Sequence, residues 1–212
     1  MDGYNTIVQE VSAEQTIEKS RFIALISHVT NLDEVEQHMS RVKQTYPNAR
    51  HYVYAYRLHD GYLEKCSDDG EPQGTGGRPV LDILQHRQIW DAQIIVVRYF
   101  GGILLGTGGL TRAYGRTARL AVDNSTITRM VPHVIYNLKI PYQWYEQMKY
   151  LFIQKGWEWT NEQFSDLVRL DLFIPKKDFS SFEKWLDEVT NKQVSWEKAG
   201  DILRKEKNEY RE

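Results

Sequence analysis

The chain has 212 residues, with 27 Lys and Arg against 29 Asp and Glu and a formal net charge of −2, so it is not a generic polyanion binder. Its 41% hydrophobic and 26% charged content suits one large or two small globular cores, and no apolar run approaches the roughly 20 residues that span a bilayer. A polar start, Met1-Asp2-Gly3-Tyr4-Asn5, and a lone cysteine, Cys66, argue against a secretory leader and a disulfide framework and predict a cytoplasmic protein.

In chain order, Tyr4–Val11 predicts a first strand and Arg21–Ile26 a second, with polar Glu18-Lys19-Ser20 between them. Asp33–Lys43 predicts a helix, capped near Asn31 or Asp33, with Leu32, Val35, Met39 and Val42 on one face; Pro47-Asn48 ends it. His51–Leu58 alternates Tyr52, Tyr54 and Tyr56 with Val53, Ala55 and Arg57, as a strand does. Asp60-Gly61 turns the chain and Tyr62–Ser67 returns it. The loop that follows carries Asp68, Asp69 and Glu71 among four glycines, then a helix is expected over Val80–Gln88 with Pro79 in its first turn. Two readings of these carboxylates stand: they hold a cation or pair with Arg98 or Arg112, or they form an acidic turn in which Asp68 or Asp69 caps backbone N–H groups. Acidic turns are common, and the segment alone favours the second.

Ile94-Ile95-Val96-Val97 predicts a strand buried on both faces. It feeds a second glycine-rich segment, and six of the 14 glycines fall between Gly101 and Gly115. A helix is expected over Thr111–Val122, with Leu110, Ala113, Tyr114, Thr117 and Ala121 facing the core and Arg112, Arg116 and Arg119 facing outward. From Arg98 to Arg129 five arginines meet one acid, Asp123. A helix N-terminus offers free N–H groups and a positive dipole end, so Arg98, Gly101, Gly102, Gly106, Thr107, Gly108, Gly109, Arg112, Arg116 and Arg119 form a candidate site for phosphate or a nucleic-acid backbone. The competing reading is that the glycines serve tight turns and the arginines a solvated face.

Met130-Val131-Pro132-His133 marks a boundary, giving a first domain over 1–132, a second over 133–204 and a charged tail over 205–212. The second domain reads as strand Val134–Pro141, helix Gln143–Lys155, strands Trp157–Thr160 and Leu167–Ile174, helix Phe179–Thr190 and strand Val194–Glu197. That β-α-β-β-α-β order is the ferredoxin-like plait, and the whole chain is α+β. Five of the six Trp lie here, at spacings that favour packing over base stacking.

Three motifs in order carry a resemblance: Ala49-Arg50-His51-Tyr52-Val53-Tyr54-Ala55-Tyr56-Arg57, Asp68-Asp69-Gly70-Glu71-Pro72, and Arg98-Tyr99-Phe100-Gly101-Gly102 through Gly106-Thr107-Gly108-Gly109-Leu110-Thr111-Arg112-Ala113-Tyr114. Together they resemble the IMPACT family, and the plait that follows resembles the C-terminal domain of its bacterial branch. The resemblance implies that the first domain shares the fold of the second domain of a small-subunit ribosomal protein, seen also in domain four of the translocating elongation factor. The plait would be similar to domain five of that factor. Contact with RNA or the ribosome, in a translation-associated regulatory role, is the implied function. Eukaryotic members restrain a starvation-responsive translation kinase through a further N-terminal domain, and that role is not expected to transfer.

No G-x-S-x-G elbow and no H-E-x-x-H occurs, and the six His have no zinc-like spacing with Cys66. The residues therefore predict no cofactor, no metal and no membrane contact, with a protein partner as a further reading. The rival is an enzyme acting on a phosphorylated small molecule or nucleotide, with a divalent cation on Asp68, Asp69 and Glu71. A last expectation is geometric. Asp68, Asp69 and Glu71 should face Arg98 and Arg112 across one cleft, with His51 at its rim.

Overall fold

The computed structural model describes residues 3–206, which form ten strands and five α-helices in two sheets. The chain divides into two compact units between Arg129 and Met130.

The first unit is built on a fully antiparallel sheet of β2 (Val11–Ile17), β3 (Ser20–His28), β4 (His51–Leu58), β5 (Leu63–Ser67) and β6 (Ala92–Tyr99), in the order β2-β3-β6-β4-β5. Strand β6 is central because its apolar run has no polar face. Ala92, Ile94 and Val96 enter one core, and Ile95 and Val97 the other. Helix α1 (Leu32–Thr45) covers the second face, its Asn31 side chain accepting the Glu34 N–H. Helices α2 (Gly77–His86) and α3 (Gly106–Asp123) cover the first. The predicted core face of α3 is buried, with Tyr114 edge-on to Phe22 at 5.2 Å.

Several boundaries in this unit differ from the sequence reading. The expected strand Tyr4–Val11 is two elements: β1 (Tyr4–Ile7) stops at Val8, whose N–H donates to the Thr126 carbonyl, and β2 begins at Val11. Val11, Ala13 and Ile17 alternate as a half-buried edge strand should, but inward-facing Gln15, bonded to Thr117 Oγ1 at 2.5 Å, interrupts the pattern. Helix α2 starts at Gly77, three residues early. Helix α3 starts at Gly106, five residues early, so Gly106, Thr107, Gly108 and Gly109 are its first turn and not a loop. The low helix propensity of glycine, about 1 kcal/mol per residue, hid that turn.

The second unit is the plait: β7 (Ile127–Ile140), α4 (Tyr142–Gln154), β8 (Glu158–Phe164), β9 (Val168–Pro175), α5 (Phe179–Thr190) and β10 (Ser195–Lys205), with sheet order β10-β7-β9-β8. This is the split arrangement in which the third strand of the motif lies between the first and second. Tyr136, Phe152 and Phe182 are fully buried, and all five Trp of this unit line or pack against that core. Strand β10 runs to Lys205, so Lys205, the first residue of the expected tail, belongs to the sheet; 207–212 lie outside the described residues.

Candidate functional site

The two glycine-rich segments both end at helix N-termini, but their N–H groups meet different fates. In the first, the Asp68 carboxylate accepts N–H bonds from Gly74, Gly76 and Gly77, each at 2.8 Å, and so caps α2. Burial raises the Asp68 pKa, but the three N–H donors together outweigh it and hold the carboxyl below its ordinary value. A Cβ on Gly77 would stand 2.7 Å from the Ser67 backbone nitrogen, so close packing against β5 demands glycine there. Asp69 accepts the Tyr52 N–H at 2.6 Å.

Glu71 turns inward. Its carboxylate, 5% exposed, accepts from Arg98 Nη1 at 2.5 Å and from the Tyr114 hydroxyl at 2.7 Å. His51 joins this cluster, its Nε2 3.7 Å from Glu71 and its Nδ1 bonded to the Asp69 carbonyl at 2.7 Å. Burial first, then the bond to Glu71, pushes the Tyr114 phenol far up, so it remains a donor at any working pH. Arg98 is 4% exposed and stacks near Phe22 and Phe100. The cluster ties the acidic loop to β4, β6 and α3.

The second segment is left open. Gly101 is fixed by close approach: its N–H donates to Ser20 Oγ at 3.2 Å, and a Cβ there would lie 2.0 Å from the Lys19 carbonyl. Beyond it, Phe100, Ile103 and Leu104 are exposed, Leu104 at 86%. Helix α3 then begins with no side-chain cap, and Gly106, Thr107 and Gly108 are exposed. Arg112, Arg116 and Arg119 follow, all exposed and, among the described residues, without an ion pair. They border a groove of about 960 Å³ between α3 and α2, together with Ile103, Leu104 and Pro79.

The expected cleft therefore forms only in part. Glu71 meets Arg98 with His51 beside them. Asp68 and Asp69 instead bind backbone N–H groups, Asp68 those leading into α2 and Asp69 that of Tyr52 near the start of β4. Arg112 points to the groove and meets none of the three. Arg98 cannot serve an outside phosphate while its charge is paired and buried. Gly101 and Gly102 shape the turn, and the open N–H groups of α3 are those of Gly106, Thr107 and Gly108. Among the described residues no three His, Cys, Asp or Glu converge as metal ligands. Burial and then Asp68 push the Cys66 thiol up, as expected for a poor nucleophile.

Sequence reasoning missed a buried pair under α1: His38 Nδ1 bonds Gln93 Oε1 at 2.9 Å, with His38 Nε2 3.7 Å from Glu10. A polar residue in the Gln93-Ile94-Ile95 run was the available signal. It also missed a cluster of basic residues in the plait, for which adjacent Lys176-Lys177 was the signal.

The model for the Impact N-terminal domain matches residues 18–122, and one for a domain of unknown function (DUF1949) matches residues 138–193. The IMPACT family member YvyE of Bacillus subtilis is 31% identical over 192 residues, covering 90% of this chain and 88% of that protein. The chain belongs to the IMPACT family. Another IMPACT family member, from Haemophilus influenzae, is 36% identical over 181 residues, 84% of this chain and 88% of that protein. A solved structure described as a hypothetical protein aligns with a TM-score of 0.64 at 30% identity, covering 92% of this chain and 97% of that one. Within this IMPACT chain, the matched residues 18–122 contain the Glu71 cluster and the open start of α3 alike.

Proposed function

We propose that the protein binds RNA, in a translation-associated regulatory role, through the open N-terminus and arginine face of α3. The observation that carries this reading is the contrast between two helices in one layer. Asp68 fills the start of α2, whereas α3 begins uncapped and presents Arg112, Arg116 and Arg119, none of them in an ion pair among the described residues; two carboxylates line the same groove, of which Asp82 pairs with Arg78, so the arginines remain in excess over Glu18. Free N–H groups and the helix dipole favour an anion at the first turn, and the three guanidinium groups extend that positive surface along the exposed face of α3. Arg112 and Arg119 are about 10 Å apart along the axis at 1.5 Å per residue, so they reach separate phosphates of one strand. Exposed Leu104 and Ile103 beside them offer an apolar contact for an unpaired base.

The enzyme alternative loses its cation arm, since the carboxylates assigned to it are occupied by Gly74, Gly76, Gly77, Tyr52, Arg98 and Tyr114. The test is binding of structured RNA and of ribosomal subunits as a function of salt. Arg112→Gln with Arg116→Gln should weaken binding and flatten the log–log salt slope by about 0.7–0.9 per arginine. Unchanged affinity and slope would sink the proposal.

A further inference from the structure

We propose a second anion site, a phosphate-binding pocket in the plait, independent of the α3 face. The pocket has a volume of about 380 Å³ and lies at the end of the sheet where β7 enters and β10 leaves. Pairing of His133 with Pro175 on one side and with Ile202 on the other brings distant segments together there. Lys155 comes from the end of α4, Lys176 and Lys177 from the β9–α5 connection, and Arg204 and Lys205 from the end of β10, around a floor that includes His133.

Charge in the pocket is uneven. Five cations face three carboxylates, Glu158, Asp178 and Glu206. Glu158 is paired with Arg204, and Asp178 accepts from the Trp157 indole at 3.2 Å. Lys176, Lys177 and Lys205 are exposed and, among the described residues, have no ion pair. Asp178 is also the N-cap residue of α5, but its carboxylate turns to the Trp157 indole and makes no cap, and the Phe179 N–H donates to the Lys176 carbonyl, which fixes the turn that carries the two lysines. Lys155 is held by the rings of Trp157 and Trp185, at 5.2 and 4.9 Å. An excess of two positive charges matches one phosphate dianion, which lysines bind as point charges. The volume is at the small end for ligand sites and admits one phosphate with its attached sugar or base.

The phosphate could come from a free nucleotide or an RNA strand, and the test separates the two. The ¹⁵N-labelled full chain is titrated at low salt with adenosine monophosphate and, separately, with a short single-stranded RNA. The indole N–H signals of Trp157 and Trp185 are followed. Saturable shifts with either probe are expected. Lys176→Gln with Lys177→Gln should weaken them at least about tenfold, while Arg112→Gln with Arg116→Gln leaves them intact, which keeps this proposal separable from the α3 reading. A response to the nucleotide alone assigns a free phosphorylated ligand; a response to RNA alone assigns the strand. No shift with either probe, or shifts that survive the lysine changes in a variant of unaltered melting temperature, would overturn the site.

Discussion

Removing the Glu71 carboxylate should cost the first unit more than any other single loss of a charge. In Glu71→Ala, Arg98 stays 4% exposed with no counter-charge, its Nε already without a partner, and the Tyr114 hydroxyl loses its acceptor. Breaking a buried pair from one side costs about 3–5 kcal/mol, and orphaning a hydroxyl about 1–3 kcal/mol. The two overlap, since the same oxygen serves both donors, so a loss of about 4–6 kcal/mol is expected against a typical total of 5–15 kcal/mol. The paired change Glu71→Leu with Arg98→Met removes both charges and should recover most of that loss. Trp90 is the single tryptophan of residues 4–129, so urea unfolding of 5-fluorotryptophan-labelled protein, followed by ¹⁹F NMR at Trp90, reads this unit apart from the plait. A cost below about 1 kcal/mol for Glu71→Ala, or strict additivity in the cycle, would refute the claim that this pair locks the acidic loop.

Four further outcomes are expected. Asp68→Ala should destabilise the first unit by about 2 kcal/mol by uncapping α2. Because the folded Asp68 pKa is depressed, its contribution is full above the unfolded value of about 4 and vanishes as pH falls through the lower folded value, so the variant and the parent should converge in acid melts. His38 runs the other way: burial lowers its pKa, the unfolded chain binds more protons, and stability should fall as pH drops below about 6.5, a slope that His38→Gln should reduce in urea titrations at several pH values. Gly101→Ala drives a methyl into the Lys19 carbonyl and should cost about 3 kcal/mol by chemical denaturation, the high end for overpacking because backbone must move. Thr107→Asp places a carboxylate in the exposed first turn of α3; it should stabilise the helix by about 0.3–1 kcal/mol while weakening RNA binding, and a variant that binds RNA as before would argue against phosphate at that turn.

Much of this architecture could be read from the residues because hydrophobic pattern and burial coincide. The Ile94–Val97 run had to be central, the Leu110–Ala121 face had to be buried, and the plait followed from its alternation of strands and helices. Boundaries failed where tertiary contact overrode local preference. Helix α3 begins among glycines that disfavour helix, and β2 is broken in pattern by a Gln that finds Thr117 on the helix packed against it. At the site, sequence could say that carboxylates and arginines stand near glycine turns, but not which would meet. That depends on which side chain lies under the sheet end and which lies on the helix surface. Arg98 is at the end of a strand buried on both faces, so its charge must be paired, and Glu71 reaches it. Arg112 is about two turns into α3, on its exposed face, where water already solvates it and no pairing is required. The same residue type thus becomes structural at one position and available at the other. Burial makes that division, and it leaves Arg112, Arg116 and Arg119 in solvent.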